Sequence, residues 1–403
     1  MERSDKFGFV GVLGMLEMSV GDCFSFIQNG ANIKQGEVDG GYPITRIETI
    51  SNNRFNRDRM GYAGITDIAP YRAYVLEDGD ILMSHINSVR YLGRAVKYSK
   101  QDNETIIHGM NLLRLKAIRE IIIPDYACLY FSSRHFREQV SRITKKSVNQ
   151  ASFSVADLKR VQMLIAPLEE QKQIIALMSR IDSIKQMRAT ELEGLDQLIK
   201  ARFVEMFGEP HRSKTYPYIK ISELTDVVSG GTPDRKNQDY WNCGTIPWVK
   251  TTELQNRTIT KVEEYITDKG LSESSAKLVP ANTVLIAMYG QGKTRGMTGF
   301  LGIEASTNQA CACILPTSNI DMQYLWHFLI LSYDELRGLA QGGNQPNLNA
   351  GMIKNFPILV PPMEKQKQFV SIVSQVDKSK LSIQASLDQL ETLKQSLMQR
   401  YFS

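Results

Sequence analysis

Hydrophobic and polar positions change period twice along this chain, and the two changes look alike. After Pro167 the sequence runs to Phe207 with no further proline and one internal glycine, Gly194. Apolar residues there recur at helical spacing. The proline suits a first helical turn, and Glu169 and Glu170 favour the positive end of a helix dipole. Gly208-Glu209-Pro210 is a stop signal. A second stretch opens at Pro361-Pro362 and runs to Ser403. In it Phe369, Val376, Ile383, Leu390 and Leu397 recur every seven residues, the spacing of a coiled-coil seam. The first stretch fits the same positions with Ile174, Ile181 and Leu195, while Arg188 and Arg202 interrupt it. About 40 helical residues extend roughly 60 Å, more than one small domain covers. The two helices are therefore predicted to pair antiparallel as a spacer.

Elsewhere the pattern is short apolar runs separated by turn signals. Strands are predicted over 42–50, 80–84, 91–98 and 120–123, with a helix over 127–143. A second module, about 219–358, shows strand-like runs over 246–250, 283–288 and 310–315 and a helix over 322–339. Both modules read as α+β.

The halves are copies. Residues 149–208 and 344–403 align without a gap at an offset of 195, and sixteen of the sixty positions are identical. The densest part is Pro167-Leu-Glu-Glu-Gln-Lys-Gln173 against Pro362-Met-Glu-Lys-Gln-Lys-Gln368. It continues through Ser179/Ser374, Asp182/Asp377, Lys185/Lys380, Leu195/Leu390 and Phe207/Phe402; upstream, Asn149-Gln150 matches Asn344-Gln345. Weaker matches place Tyr42–Arg46 on Ile246–Lys250 and Gly79-Asp-Ile-Leu82 on Asn282-Thr-Val-Leu285. The period is too long for a solenoid, so this is a duplicated domain. The predicted fold is α+β, two modules joined by two long antiparallel helices in a pseudo-two-fold repeat. Its segments are 1–166, 167–210, 211–360 and 361–403.

Composition narrows the function. The chain has 403 residues, 42% hydrophobic and 23% charged, enough apolar surface for sizeable cores. A net charge of +5 and a pI near 8.8 permit a nucleic-acid partner without requiring one. Five cysteines, Cys23, Cys128, Cys243, Cys311 and Cys313, make no CxxC pair and no plausible disulfide framework. No apolar run is long enough to span a bilayer, and the polar Met1–Lys6 leads into no signal-peptide core. A cytoplasmic protein with no membrane partner is expected.

Basic residues cluster in loops of both modules. Arg54, Arg57 and Arg59 lie in a polar stretch; Arg90, Arg94 and Lys97 accompany Tyr91 and Tyr98; Arg134, Arg137, Arg142, Lys145 and Lys146 enclose one acid, Glu138. The second module offers Arg235-Lys236, Lys250, and Lys293 and Arg295 in the glycine-rich run Gly290–Gly296. Such side chains neutralise phosphates, glycine loops let backbone amides approach them, and arginines also read base edges. Any single cluster is more often a solvated face. Catalytic signatures are missing. Gly292-Lys293-Thr294 imitates the end of a P-loop, yet Ala287 stands where the loop needs glycine, so no ATP site is expected. The five histidines lack metal-binding spacing, Cys311-Ala-Cys313 lacks further ligands, and no metal site is expected. Asn344-Gln-Pro346 is no methyltransferase motif, and no nucleophile arrangement appears. The chain reads as a binder.

Together these features resemble the specificity subunit of bacterial Type I restriction–modification enzymes. The residues carrying the resemblance are Pro167–Gln173, its copy Pro362–Gln368, and the run Ser229-Gly-Gly-Thr-Pro233…Tyr240-Trp241…Ile246-Pro-Trp-Val-Lys250. The resemblance implies two target recognition domains, each reading one half of a split, asymmetric site on double-stranded DNA while the helices set the gap. It also implies two modification (methyltransferase) subunits, which methylate adenine with S-adenosylmethionine, and restriction (motor-nuclease) subunits that use ATP and Mg. This chain would hold none of those cofactors and be non-catalytic by itself. A non-catalytic adaptor with two protein-binding modules on a coiled coil is the competing reading. A fused restriction–methylation enzyme is a third, against which the missing motifs count.

Overall fold

The structure is a computed structural model and describes residues 9–10, 14–147, 150–290, 292–340 and 347–403. Asn149, Asn344, Gln345, Met1–Lys6 and Gln291 of the glycine-rich run lie outside the described residues. The chain forms two compact units, residues 1–188 with 385–403 and residues 189–384. Each unit combines one module with a portion of both long helices, Leu168–Phe207 and Met363–Phe402.

The main strands of the first unit are β1 (Met15–Ser19), β2 (Phe24–Asn29), β3 (Ile81–Ser84), β4 (Ala95–Lys97), β5 (Leu112–Ala117) and β6 (Gln162–Ile165), beside shorter pairings that include Tyr42–Ile44 and Ile86–Asn87. The central sheet runs β2-β5-β3-β4, antiparallel throughout. Both of its faces are covered, which is why β3 reads as an unbroken apolar run. Ile81 and Met83 pack with Leu113 and Leu115 under helices α1 (Pro124–Ser132) and α2 (Arg134–Ile143). Leu82 packs on the other side with Val96, Tyr98 and Leu112. β1 pairs antiparallel with β6, directly before the first long helix. Ile174 and Met178 of that helix join the first core, as does Phe402 of the second long helix, edge-on to Tyr126 at 5.3 Å.

The second unit repeats the plan. Its main strands are β7 (Tyr218–Lys220), β8 (Val227–Ser229), β9 (Arg257–Ile259), β10 (Val284–Ala287), β11 (Thr298–Leu301), β12 (Cys311–Ile314) and β13 (Pro357–Leu359), with a separate four-stranded sheet of Glu264–Ile266, Ile246–Val249, Ala305–Thr307 and Leu278–Val279. The order β8-β12-β10-β11 matches β2-β5-β3-β4, and β9 adds a fifth, parallel strand. β7 pairs antiparallel with β13, as β1 does with β6. The core gathers Ile286 and Ile314 with Tyr324 and Phe328 of α3 (Met322–Leu331) and Phe203, Phe207 and Phe369 of the long helices. The residues before β3 and β10, Gly79 and Asn282, both have positive φ, 86° and 67°. The two modules share a turn there even though one uses asparagine.

One device joins module to helix in both units. Gln171 and Gln366, from the repeated motif, are fully buried. Gln171 Oε1 accepts from Ile123 N at 2.9 Å, and its Nε2 donates to Ala166 and Ile121 carbonyls, both at 2.8 Å. Gln366 Oε1 accepts from Asp321 N at 2.8 Å and its Nε2 donates to the Pro361 carbonyl at 2.7 Å. Ile123 and Asp321 are the N-cap residues of α1 and α3. Tyr126 and Tyr324, each in the first turn beyond, both donate to strand carbonyls, Leu164 and Leu359, at 2.9 Å.

Within each unit the two long-helix segments run antiparallel. In the first, Lys185 pairs with Glu391, and Lys394 with Asp182 at 2.5 Å. In the second, Lys380 pairs with Asp196 at 2.6 Å, and Phe203 meets Phe369 at 5.5 Å.

Several sequence expectations are corrected. The helix expected over 127–143 begins at Pro124 and breaks at Ser133, whose hydroxyl caps α2 by accepting from Phe136 N at 3.2 Å. The helix expected over 322–339 breaks at Ser332, before α4 (Tyr333–Gly338). Residues 120–121 belong to a turn and 122–123 lead into α1 without regular structure, so no strand forms there. Of 42–50 only Tyr42–Ile44 is a strand, followed by a 3-10 turn over Ile47–Asn53. Of 91–98 only β4 is a strand. Arg202 does not interrupt a seam: it pairs with Glu205 at 2.5 Å on the exposed side, while Ile199 and Phe203 are buried.

Gln171→Ala and Gln366→Ala should each lower the unfolding free energy of the full chain by about 1–3 kcal/mol, because buried backbone groups lose their partner. Gln173→Ala, exposed one residue beyond Lys172, should change little. Urea titration of the three variants checks this.

Candidate nucleic-acid interface

Six of the predicted cations converge in the first unit. Arg54 and Arg57 come from the irregular turn after Ile47–Asn53, Arg90 and Arg94 from the β3–β4 loop, Lys97 from β4 and Arg137 from α2. With Lys394 of the second long helix they line a cleft of about 650 Å³. The carboxylates in its lining are Asp125 and Asp182. Three of the seven cations are paired, with Glu104, Asp125 and Asp182, and the remaining four guanidinium groups leave the concavity positive.

Two roles separate among these cations. Arg57 is part of the wall: its Nε and Nη2 donate to Glu104 at 2.8 and 2.6 Å, and it lies 5.2 Å from the Phe55 ring. Glu104 also accepts from Gln101 N and the Tyr98 hydroxyl, both at 2.8 Å. The Arg57 bonds, with these two, hold the Glu104 carboxyl down at about 2. Lys97 pairs with Asp125 at 2.7 Å, and Lys394 with Asp182. By contrast Arg54, Arg90, Arg94 and Arg137 have no carboxylate partner among the described residues. Arg94 and Arg90 lie over the Tyr91 ring at 4.7 and 5.5 Å, and Arg137 donates to the Ser132 carbonyl at 2.8 Å. These four guanidinium groups have charge to spare for an anion.

The other candidates of this module lie outside that cleft. Arg59 is exposed on a short turn. Arg134 pairs with Glu138 at 2.7 Å and borders a neighbouring depression. Arg142 is exposed in the last turn of α2, and Lys145 and Lys146 are exposed on a two-residue strand.

In the second unit the candidates divide differently. The Arg235 guanidinium stacks 3.8 Å from the Trp241 ring and 4.6 Å from Trp248, and pairs with Glu264. Lys250 donates to Glu263 at 2.7 Å and Glu264 at 2.9 Å, which holds its ammonium above its ordinary range. Trp248 Nε1 donates to the Gly231 carbonyl, and Trp241 Nε1 to that of Asp234, both at 3.0 Å. The motif from Ser229 to Lys250 is therefore a packing cluster in which Arg235 and Lys250 are already compensated. Lys236 and Lys293 are exposed. The loop carrying Lys293 is held from behind by α4: the Tyr333 hydroxyl donates to the Lys293 carbonyl at 2.7 Å, and Arg337 to the Arg295 carbonyl at 2.8 Å. Gly290, Gly292 and Gly296 all have positive φ, so the loop follows a path that side chains resist. Arg295 is half-buried. Sequence reasoning missed two residues, Lys394, which reaches the first cleft from a remote helix, and Tyr289, 41% exposed beside the glycine loop.

Comparison with known proteins gives one consistent result. The family model described as the Type I restriction modification DNA specificity domain matches twice, at residues 14–196 and 213–392. The putative type I restriction enzyme MjaX specificity subunit of Methanocaldococcus jannaschii is 27% identical, with 94% of this chain and 90% of that protein covered. The EcoR124I/EcoR124II specificity subunit of Escherichia coli is 27% identical over 45% of this chain and 46% of its own length. Among solved structures, a chain from a study of assembly and conformational transition of the type I R-M system superposes with a TM-score of 0.63 at 17% identity, covering 96% of this chain and 97% of its own. The S subunit from M. genitalium gives 0.55 at 12% identity, with 98% of both chains covered. At those identities the structures speak for the fold.

The Glu104 cluster carries a pH signature. Its carboxyl is depressed in the folded chain, so its contribution is complete above the ordinary value of 4.5 and lost as pH falls toward about 2. Glu104→Gln should therefore destabilise the chain at pH 7 by about 1 kcal/mol, allowing for solvent screening. The difference from the parent should shrink progressively below pH 4.5. Thermal melts across pH 2–7 measure it.

Proposed function

The chain belongs to the Type I restriction–modification DNA specificity family, and on that premise we propose how it divides the work of reading DNA. Each module reads one half of a split, asymmetric site, and the long helices set the interval between the halves. The observation that carries this reading is the duplication. Two modules with the same sheet order feed their long helices through the same buried glutamine, so a shared frame carries two recognition surfaces whose sequences have diverged. The unpaired guanidinium groups of the first module favour a nucleic acid over the protein ligands of an adaptor.

The family implies assembly with methyltransferase and restriction subunits and with DNA. We take the number of modification subunits to be two, one per repeat, because the helical segment is duplicated with its junction to the module. S-adenosylmethionine, ATP and Mg then belong to the partner subunits. A purified complex should hold one copy of this chain to two of the modification subunit; native mass measurement giving another ratio would refute the assignment.

The spacing follows from helix length. Each long helix has 40 residues, roughly 60 Å at 1.5 Å per residue, an upper bound of about 18 base pairs at 3.4 Å each. Because the helices pair antiparallel in each unit, both must lengthen together to keep the pairing. Inserting one heptad in each, after Arg188 and after Gln384, adds roughly 10 Å and returns the apolar stripe to the same face. Genome-wide mapping of methylated adenine should then show both half-sequences kept and the gap widened by up to about 3 base pairs. Exchanging residues 1–148 for another recognition module should alter one half-site. An unchanged gap, or two altered halves, would refute the division of labour.

A further inference from the structure

We propose that the β3–β4 loop and the β10–β11 loop are corresponding DNA-contacting arms of the two modules, with Arg90 and Lys293 as equivalent phosphate-binding tips. This deepens the DNA reading above and rests on it. The strands that carry the loops occupy the same places in the two sheets. The loops, residues 85–94 and 288–297, are equal in length and close in the same way. Gly93 N donates to the Ser84 carbonyl at 2.8 Å and Ser84 N to the Arg94 carbonyl at 2.9 Å. Gly296 N donates to the Ala287 carbonyl and Ala287 N to the Met297 carbonyl, both at 2.9 Å. Both closing glycines have positive φ, 75° and 84°.

Each loop is also braced from behind by the helix that follows a buried serine. A Cβ on Gly93 would lie 3.0 Å from the Phe136 ring and 3.3 Å from Val140, both on α2. A Cβ on Gly296 would lie 3.0 Å from Arg337 and 3.5 Å from Tyr333, both on α4. Such bracing limits the ordering that a bound strand would otherwise have to impose.

Within this frame Arg90 and Lys293 take the same position, each three residues before its closing glycine, and both side chains are exposed. Their neighbours differ. Tyr91 and Arg94 of the first loop correspond to Thr294 and Met297 of the second, and Leu92, which is buried, corresponds to half-buried Arg295. A shared cation among unlike flanks is what phosphate contact requires, because every sequence presents the same phosphates while base edges differ. No residue-by-residue identity marks this correspondence apart from the closing glycine.

The test uses the complex with its modification subunits and a duplex carrying the site mapped by methylation. Arg90→Ala and Lys293→Ala should each weaken binding and reduce the slope of log affinity against log salt by about 0.9. Lys172→Ala, a surface lysine paired with Glu169, serves as the control. Duplexes with neutral methylphosphonate linkages in one half-site then separate the arms. Arg90→Ala should lose its slope effect on one neutralised half and Lys293→Ala on the other. Unchanged slopes in both variants overturn the proposal while the parent still binds its site, as does an altered methylated sequence at constant slope. Loss of both effects on the same half overturns the correspondence. A parent complex with no preference for the mapped duplex overturns the DNA reading itself, and this inference with it.

Discussion

The buried glutamine at the start of each long helix is the constraint from which the rest of the architecture follows. A primary amide offers donor and acceptor on one flat group, and here it ties the start of the long helix to the module beside the tyrosine bonds to the closing strand. Gln171 accepts from the N-cap residue of α1 and donates to the Ile121 carbonyl before α1 and to the Ala166 carbonyl after the closing strand; Gln366 accepts from the N-cap residue of α3 and donates to the Pro361 carbonyl after its closing strand. Both are sealed from water, so each missing bond would cost the desolvation of a backbone group. The helix that leaves the module is thereby fixed to it at its first turn, and whatever sits on the module is carried at a defined angle to its helix.

Duplication has kept this junction and relaxed what lies beyond it. The ladder pair Lys185–Glu391 has its counterpart in Lys380–Asp196, at positions related by the repeat. The next pair does not survive: Asp182 meets Lys394, whereas Asp377 corresponds to a position facing Ile199, a buried residue of the second unit's core. Left without a cross-helix lysine, Asp377 is half-buried and its carboxyl is pushed above its ordinary value by burial, with Lys380 at 3.6 Å on its own helix as partial relief. The two copies therefore share geometry and one ladder pair but not the next, which is the expected result when backbone register is under stronger constraint than individual surface pairs.

How much was legible in the sequence follows the same division. The long helices and the repeat were readable because pairing and the glutamine junction fix residue types at fixed spacing: Pro167, Gln171, Ile174 and Ile181 each have one structural job that few residues can do. The strands β3, β10 and β12 were readable as short apolar runs because both faces of each sheet are covered. The breaks at Ser133 and Ser332 were not, since a serine within an amphipathic run signals nothing until its hydroxyl finds a backbone partner. Nor could the sequence pair Lys250 with Glu263 and Glu264, or bring Lys394 to the cleft beside Arg137, because those contacts are made across the fold. Basic clusters were visible; which of them keep charge to spare was not.

That last distinction bears on how each module meets DNA. In the first, Arg54, Arg90, Arg94 and Arg137 surround a concavity with few acids, so their field adds over the cleft and favours a polyanion at long range. In the second, Arg235 and Lys250 spend their charge on Glu263 and Glu264 around two tryptophans, and the exposed cations Lys236 and Lys293 stand apart on separate loops. The second surface gathers fewer of the candidate cations in one place, and it carries a glycine loop of positive φ whose backbone can approach a phosphate closely. A chain that carries one strongly attracting module and one with dispersed cations draws a polyanion mainly through the field of the first.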